Sequence, residues 1–482
     1  MSDIPFCSAK QLASMIRTKK IGALELLDLY LQRVECYSEI NAIIFMDVDA
    51  ARKRARQADR ALARGNLWGP LHGVPMTIKE SFDVVGMPTT WGVPRYKENY
   101  PSSNALVVDR FLQAGAVIFG KTNVPMYLAD WQTFNDIYGT TNNPWDRNRV
   151  PGGSSGGSAA ALAAGLTGLE AGSDIGASIR NPAHYCGVYG HKPTYGIISP
   201  LGQALPGTFG LTDIAVVGPL ARSAEDLALA MDVMAGPDDI DGSGWKLSLP
   251  KPKRKELREF KVAVVYDDPE AEVDEEVQQV LRDLTTFLKK MKLKVRVDAR
   301  PKIDSREAHR NYIRLLRGAT CGRLTPEDFE KNLADYKSLR ADDESYRAQM
   351  IRAQAMSHKE WLAYDNLRHR MRLAWAAFFS DFDLFLCPAA TTTAFEHNQK
   401  GERWERMISV NGKPQPSTTQ MFWAGYSCNF FLPATVAPIG LSRKGLPVGV
   451  QVVGPQYGDR ACIQFARLLE REYHHFIPPT GY

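Results

Sequence analysis

From about residue 70 onward, short apolar runs of strand length alternate with stretches of helical length, and this alternation constrains the fold more than any other feature. Strand-length runs that are apolar on both faces need cover on both sides, and helices supply it. Strands are expected at 74–78, 116–119, 262–265, 294–297, 384–387 and 448–453. Helices are expected at 105–114, 158–166, 224–234, 274–290 and 461–470. The pattern predicts an α/β fold, a sheet covered by helices on both faces.

The first 65 residues read as a helical segment. Ser8 can cap a short helix, and Leu24, Leu27, Tyr30, Leu31 and Val34 mark one face of a second. A third runs from Val48 to a stop at Gly65, with Ala51, Ala55, Ala58 and Leu62 as a narrow apolar stripe, and 42–46 is strand-like. The stretch 300–370 is the most polar and helical part, expected as an insertion over the core. A length of 482 residues, at about 150 per domain, suggests about three domains. No linker or internal repeat supports that division, and the Pro-Gly punctuation falls inside glycine-rich stretches that look like site loops. One domain spanning 1–482 is therefore expected.

Composition removes several function classes. With 44% apolar and 23% charged residues the chain is neither disordered nor fibrous. The net charge of +5 is small for this length, and the basic cluster of Lys251, Lys253, Arg254, Lys255, Arg258 and Lys261 is offset by Glu256 and Glu259 without interleaved aromatics. It reads as a solvated connector, so no nucleic-acid partner is expected. The seven cysteines show no CxxC spacing, which argues against a zinc site or a disulfide framework and for reduced thiols in a cytoplasmic protein. Residues 1–15 lack a secretory pattern, and no run of about 18 apolar residues exists, so no membrane span is expected.

The densest chemical signal is Pro151-Gly152-Gly153-Ser154-Ser155-Gly156-Gly157-Ser158, running into an Ala-rich helix. A phosphate-binding loop would close on Gly-Lys-Ser/Thr, which is missing. A nucleophile elbow needs an apolar strand before its GxSxG, whereas Asn142 to Arg149 is loop chemistry. A third reading joins this loop to a second, Gly172-Ser173-Asp174-Ile175-Gly176-Ala177-Ser178-Ile179-Arg180, whose small residues could turn several backbone N–H groups onto one acyl oxygen. Serine then needs a base. His184 and His191 read as packed histidines. Lys79 ends the apolar run Gly73-Val74-Pro75-Met76-Thr77-Ile78, where burial would lower its pKa. Such a lysine is either tuned as a base or paired with a carboxylate, here Glu80 or Asp83.

Lys79 in Gly-Val-Pro-Met-Thr-Ile-Lys, the Gly-Gly-Ser-Ser-Gly-Gly-Ser loop and Gly-Ser-Asp-Ile-Gly-Ala-Ser-Ile-Arg together resemble the amidase signature family, with its spacing between positions 79, 154 and 178. Further matches are Gly120-Lys121-Thr122-Asn123-Val124-Pro125, Thr141-Asn142-Asn143-Pro144-Trp145, Gly187-Val188-Tyr189-Gly190-His191-Lys192-Pro193-Thr194 and Gly445-Leu446-Pro447-Val448-Gly449-Val450-Gln451. The resemblance spans nearly the whole chain and implies a large mixed β-sheet between helices. It implies a catalytic triad of Ser178 as nucleophile, Ser154 as bridging serine after a cis Gly153–Ser154 peptide, and Lys79 as base. The backbone amides of Ile175, Gly176, Ala177 and Ser178 would form the oxyanion hole, with Asp174 and Arg180 ordering the loop. Two positions depart from the family: Ala177 where it usually has Gly, and Glu80 where it usually has Asp.

The resemblance further implies a serine hydrolase of C–N bonds that uses no metal and no cofactor. Its partner would be a small-molecule amide, and the chain a monomer or homodimer. Leu128, Ala129 and Trp131 fall where substrate would pack, with Phe134, Tyr138, Met421, Phe422 and Trp423 nearby. An apolar or aryl amide is expected, with anilides and carbamates included. The alternative is an amidotransferase A-type subunit that releases ammonia from glutamine for a tRNA-bound partner. Those chains carry an Arg-Tyr-Asp-Gly-type segment that Arg310-Asn311-Tyr312-Ile313-Arg314 does not match.

Overall fold

The computed structural model describes residues 4–482; residues 1–3 of the stretch read above for a secretory pattern lie outside it. An eight-stranded sheet runs in the order Lys294–Val297, Lys261–Val264, Leu384–Pro388, Pro447–Val453, Ala434–Leu441, Tyr189–Lys192, Val216–Ala221, Glu170–Asp174. Its first three strands are parallel and the remaining pairings antiparallel, so the sheet is mixed. A second sheet places Val117–Thr122 between Ile43–Met46 and Pro75–Lys79. The strand from the N-terminal segment thus completes a sheet of the core. Asp226 also accepts hydrogen bonds from the first amides of the helix Ala9–Arg17, at Ala9 (2.7 Å) and Lys10 (3.0 Å), tying that segment to the body.

Helices pack on these sheets as the alternation predicts. Glu275–Lys290 starts at its Asp274 cap, and Asp459–Glu472 packs on the strand Ala434–Leu441. Four strands carry little apolar signal: Glu170–Asp174, Tyr189–Lys192, Val216–Ala221 and Ala434–Leu441. Glu170-Ala171-Gly172-Ser173-Asp174 holds two acids, and Val216–Ala221 holds a Gly and a Pro, yet every residue of both strands is buried. The end strand Glu170–Asp174 carries Ser173 and Asp174, two of the polar groups of the site described below.

The stretch 300–370 is helical, in Ser305–Ala319, Pro326–Ser338, Tyr346–Gln354 and His358–Asp381, the last running past the expected end. It also reaches the site, because Tyr312 from the first of these helices donates to the Ile175 carbonyl at 2.9 Å. Among the described residues no helix is long and apolar enough to cross a membrane.

Candidate active site

The strand Pro75–Lys79 is buried along its whole length and pairs in parallel with Val117–Thr122, with Lys79 opposite Thr122. It also runs beside Glu170–Asp174. That neighbour brings Lys79 Nζ to 2.6 Å from Ser154 Oγ and 3.0 Å from Ser173 Oγ. No ion pair involves Lys79 among the described residues. The Glu80 carboxylate is turned away onto the amides of Thr90 and Trp91 (2.9 Å to the latter). Lys121 Nζ lies on the carbonyls of Glu80 (3.2 Å) and Pro88 (2.7 Å) and on the Thr89 hydroxyl (2.7 Å). Of the two readings the sequence leaves open, pairing with a neighbouring carboxylate is thus excluded. Burial lowers the Lys79 pKa to about 7; the Asp174 charge opposes this and Arg323 adds to it.

The glycines of the 151–158 loop allow backbone approaches no side chain would permit. A Cβ at Gly153 would lie 2.3 Å from the Asp130 carbonyl oxygen, and one at Gly157 would lie 2.4 Å from the Asn123 nitrogen. The Gly153–Ser154 peptide is cis. The next amide, Ser155 N–H, donates to the Ser178 carbonyl at 3.0 Å and joins the two loops. Ser154 and Ser178 are both buried and both line one cleft of about 600 Å³. Their hydroxyls share this space without a hydrogen bond between them among the described residues.

Asp174 organises the 175–180 turn. Its carboxylate accepts from the amides of Ala177 (2.9 Å) and Ile179 (3.1 Å) and from Arg180 Nε (3.0 Å) and Nη2 (2.9 Å). Burial disfavours its charge, yet the Arg180 guanidinium and these donors hold its pKa at about 2. The expected oxyanion set is corrected at one position. Ala177 N–H is already committed to Asp174, whereas the amides of Ile175, Gly176 and Ser178 meet no protein acceptor among the described residues. Tyr312 holds the Ile175 carbonyl and Trp131 Nε1 donates to the Gly176 carbonyl at 2.8 Å. In a trans peptide C=O and N–H point opposite ways, so the Tyr312 bond aims Gly176 N–H away from that ring. Ala177 itself has φ 66°, which accounts for the family's usual glycine there.

Because both partners of the Asp174–Arg180 pair are buried, Asp174→Asn leaves a guanidinium without its counter-charge. The expected cost is about 3–5 kcal/mol, read as a lowered denaturation midpoint in urea.

Leu128 lines the cleft with the serines, but Ala129 and Trp131 do not. They line a separate cavity of about 50 Å³ with Met421 and Arg403. Two local features accompany this: Tyr127 (φ 55°) and Leu128 (φ 56°) are both left-handed, and the Trp131 indole is committed to the Gly176 carbonyl. Phe422 and Trp423 belong to an aromatic core with Tyr426. The cleft instead draws on Trp91, Leu106, Ser173, Gln203, Phe209 and Arg323. Gln203 Nε2 bonds the Ser173 (3.2 Å) and Ser81 (3.0 Å) hydroxyls. Ser173 stands inside the motif already singled out, so its proximity to Lys79 had a signal; the others come from segments remote in sequence, with no signal that they meet here.

His184 and His191 pack in the interior, His184 between Thr392 and Gly449 and His191 between Thr435 and Asp459. No cluster of three or more His, Cys, Asp or Glu side chains suited to a metal occurs among the described residues.

The sequence model of the family described as Amidase matches residues 25–463. The chain is 31% identical to the A subunit of a glutamyl-tRNA(Gln) amidotransferase from Cyanothece sp., covering 96% of this chain and 97% of the relative. The corresponding protein of Moorella thermoacetica is also 31% identical, over 99% of each chain. Among solved structures, one described as an amidase has a TM-score of 0.79 at 27% identity, covering 97% of this chain and all of its own.

Proposed function

The chain belongs to the amidase family, the amidase signature enzymes, and from that premise we propose that it hydrolyses carbon–nitrogen amide bonds through an acyl-enzyme on Ser178. The observation that carries this reading is the fully buried Lys79 amine, 2.6 Å from Ser154 Oγ and unpaired with any carboxylate among the described residues. Neutral Lys79 accepts the Ser154 proton as Ser154 accepts that of Ser178, and Ser178 Oγ attacks the amide carbonyl. The Ser154–Ser178 hydrogen bond closes when substrate enters, as catalytic contacts commonly tighten in the bound complex. The developing oxyanion is held by the amides of Ile175, Gly176 and Ser178. Returning along Lys79 and Ser154, the proton reaches the leaving nitrogen, the C–N bond breaks, and water then releases the acid from Ser178.

Two substrate readings follow, and the comparisons weigh toward the ammonia-releasing one: the full-length relatives at 31% identity carry the name of an amidotransferase's A-type subunit. On that reading glutamine is the amide and partner subunits receive the ammonia. The second reading, an apolar or aryl amide cleaved by the chain alone, is favoured by the cleft lining, where Trp91, Leu106 and Leu128 share the cleft with the serines and Phe209, Leu211 and Ile240 line it toward solvent. The experiment is a direct competition with the isolated chain, comparing ammonia release from glutamine with aniline release from acetanilide. A kcat/KM at least about tenfold higher for the anilide supports the second reading. Ammonia release alone, or activity appearing only with partner subunits added, returns the assignment to the first.

A further inference from the structure

The catalytic cleft does not end at the serines but opens between two loops whose large apolar side chains stand in solvent. Phe209 is 89% exposed, Leu211 70%, Ile240 85% and Leu201 53%, and all four line the cleft that holds Ser154 and Ser178. Isolated exposed apolar residues are ordinary; four that line one cleft are not. Phe209 and Leu211 sit on a strap, 199–213, that is pinned at both ends. At its start the Asp83 and Leu106 amides donate to the Gly202 (2.8 Å) and Leu201 (3.0 Å) carbonyls, and a Cβ at Gly202 would lie 2.4 Å from Ala105 Cα. At its end Arg368 binds Asp213 at 2.8 and 3.0 Å beside the buried Ile214. Between these anchors, residues 204–211 form no hydrogen bond to the rest of the protein among the described residues; Thr208 N–H donates only to Leu205, within the strap, and the Thr212 carbonyl accepts from Ala215 N–H at 3.3 Å where the strap ends. Ile240 lines the same cleft from a turn capped by Asp238, which Ser199 Oγ also joins at 3.2 Å.

We infer that Phe209, Leu211 and Ile240 form a specificity subsite for the apolar arm of an extended amide substrate, reaching from Ser178 out to the mouth. The inference rests on the apolar-amide reading above. Continuity assigns the occupant: the exposed side chains and both serines border one space, so a molecule acylating Ser178 meets them if its arm is long enough. Size agrees, since about 600 Å³ lies in the range that encloses a drug-sized ligand, while a short amide leaves most of it empty. Covering a phenylalanine side chain with an alkyl or aryl arm removes enough apolar surface from water to change binding by about tenfold or more.

The test measures the ratio of kcat/KM for hexananilide over acetanilide, and for N-hexylacetamide over N-methylacetamide, in wild type and in the Phe209→Ser/Leu211→Ser variant. These positions are exposed, so the variant folds. The wild type is expected to favour the longer member of at least one pair by about tenfold or more, and the variant to lose most of that preference. Equal ratios in the two proteins overturn the inference, including the case in which a wild-type dimer dissociates in the variant, which would assign the face to a second copy. A wild type that cleaves none of these amides sinks the apolar-amide reading instead. Calorimetry with Ser178→Ala then decides the subsite by itself: tighter binding of hexananilide than acetanilide, lost in the added double variant, sustains it, and equal binding removes it.

Discussion

Ser178→Ala is expected to lower kcat by about 10⁴-fold or more while leaving the thermal midpoint within a degree or two of wild type. Removing one member of a nucleophile–base unit costs nearly as much as removing all of it, because no neighbour takes over the bond to the acyl carbon. Ser155 is the nearest alternative hydroxyl in sequence to the bridging serine, but it points to the Ser173 carbonyl at 3.5 Å and does not line the cleft. The fold tolerates the change because the loop is held by main-chain groups: the Ser178 carbonyl still accepts from Ser155, and Asp174 still holds Ala177 and Ile179. Residual turnover within about tenfold of wild type would mean that another group forms the acyl bond.

Lys79→Met is expected to lower kcat by a comparable factor, about 10³-fold or more, and the wild-type pH profile explains why. Burial brings the Lys79 pKa from 10.5 to about 7, so the proton-accepting form gains population through neutrality. Wild-type kcat/KM is expected to rise from acid pH with a midpoint near 7 and to level off above about pH 8. Stability carries the same signature with a fixed sign. The unfolded chain holds the Lys79 proton up to 10.5 and the folded chain only to about 7, so this group withdraws stability as pH falls from 10.5 to about 7 and no further below it. The midpoint of Lys79→Met relative to wild type is therefore expected to be more favourable at pH 6.5 than at pH 10. A flat activity profile from pH 5 to 9, with no pH dependence in the stability difference, would assign the base elsewhere.

What the sequence made legible follows from where physical signals are local. The helix Glu275–Lys290 and the strands Leu384–Pro388 and Pro447–Val453 announce themselves by apolar pattern and caps. The strand Glu170–Asp174 does not, because its buried polar side chains are satisfied by partners far away in sequence, as Ser173 is by Lys79 and Gln203. The same distinction runs through the site. Ser154 and Ser178 sit in glycine-rich loops and Lys79 closes an apolar run, signals that are local and so visible, while the resemblance to the family is what joined the three into one expected site. The substrate walls are assembled from separate loops, so Ala129 and Trp131, expected at the cleft, fall beside it, while Phe209 and Ile240 carry no signal. Tyr312 illustrates the limit: it lies in the polar helical stretch read as an insertion, and only the fold brings its hydroxyl onto the Ile175 carbonyl.

The most direct measurement is the mass of the enzyme caught in mid-reaction. Acid quenching during turnover of a slowly deacylating amide or carbamate, followed by proteolysis and mass spectrometry, should place one acyl group on the peptide containing Ser178, and no such adduct should form in Ser178→Ala or Lys79→Met. An acyl group found on Ser154 or Ser155, or steady turnover by Ser178→Ala, would contradict the account.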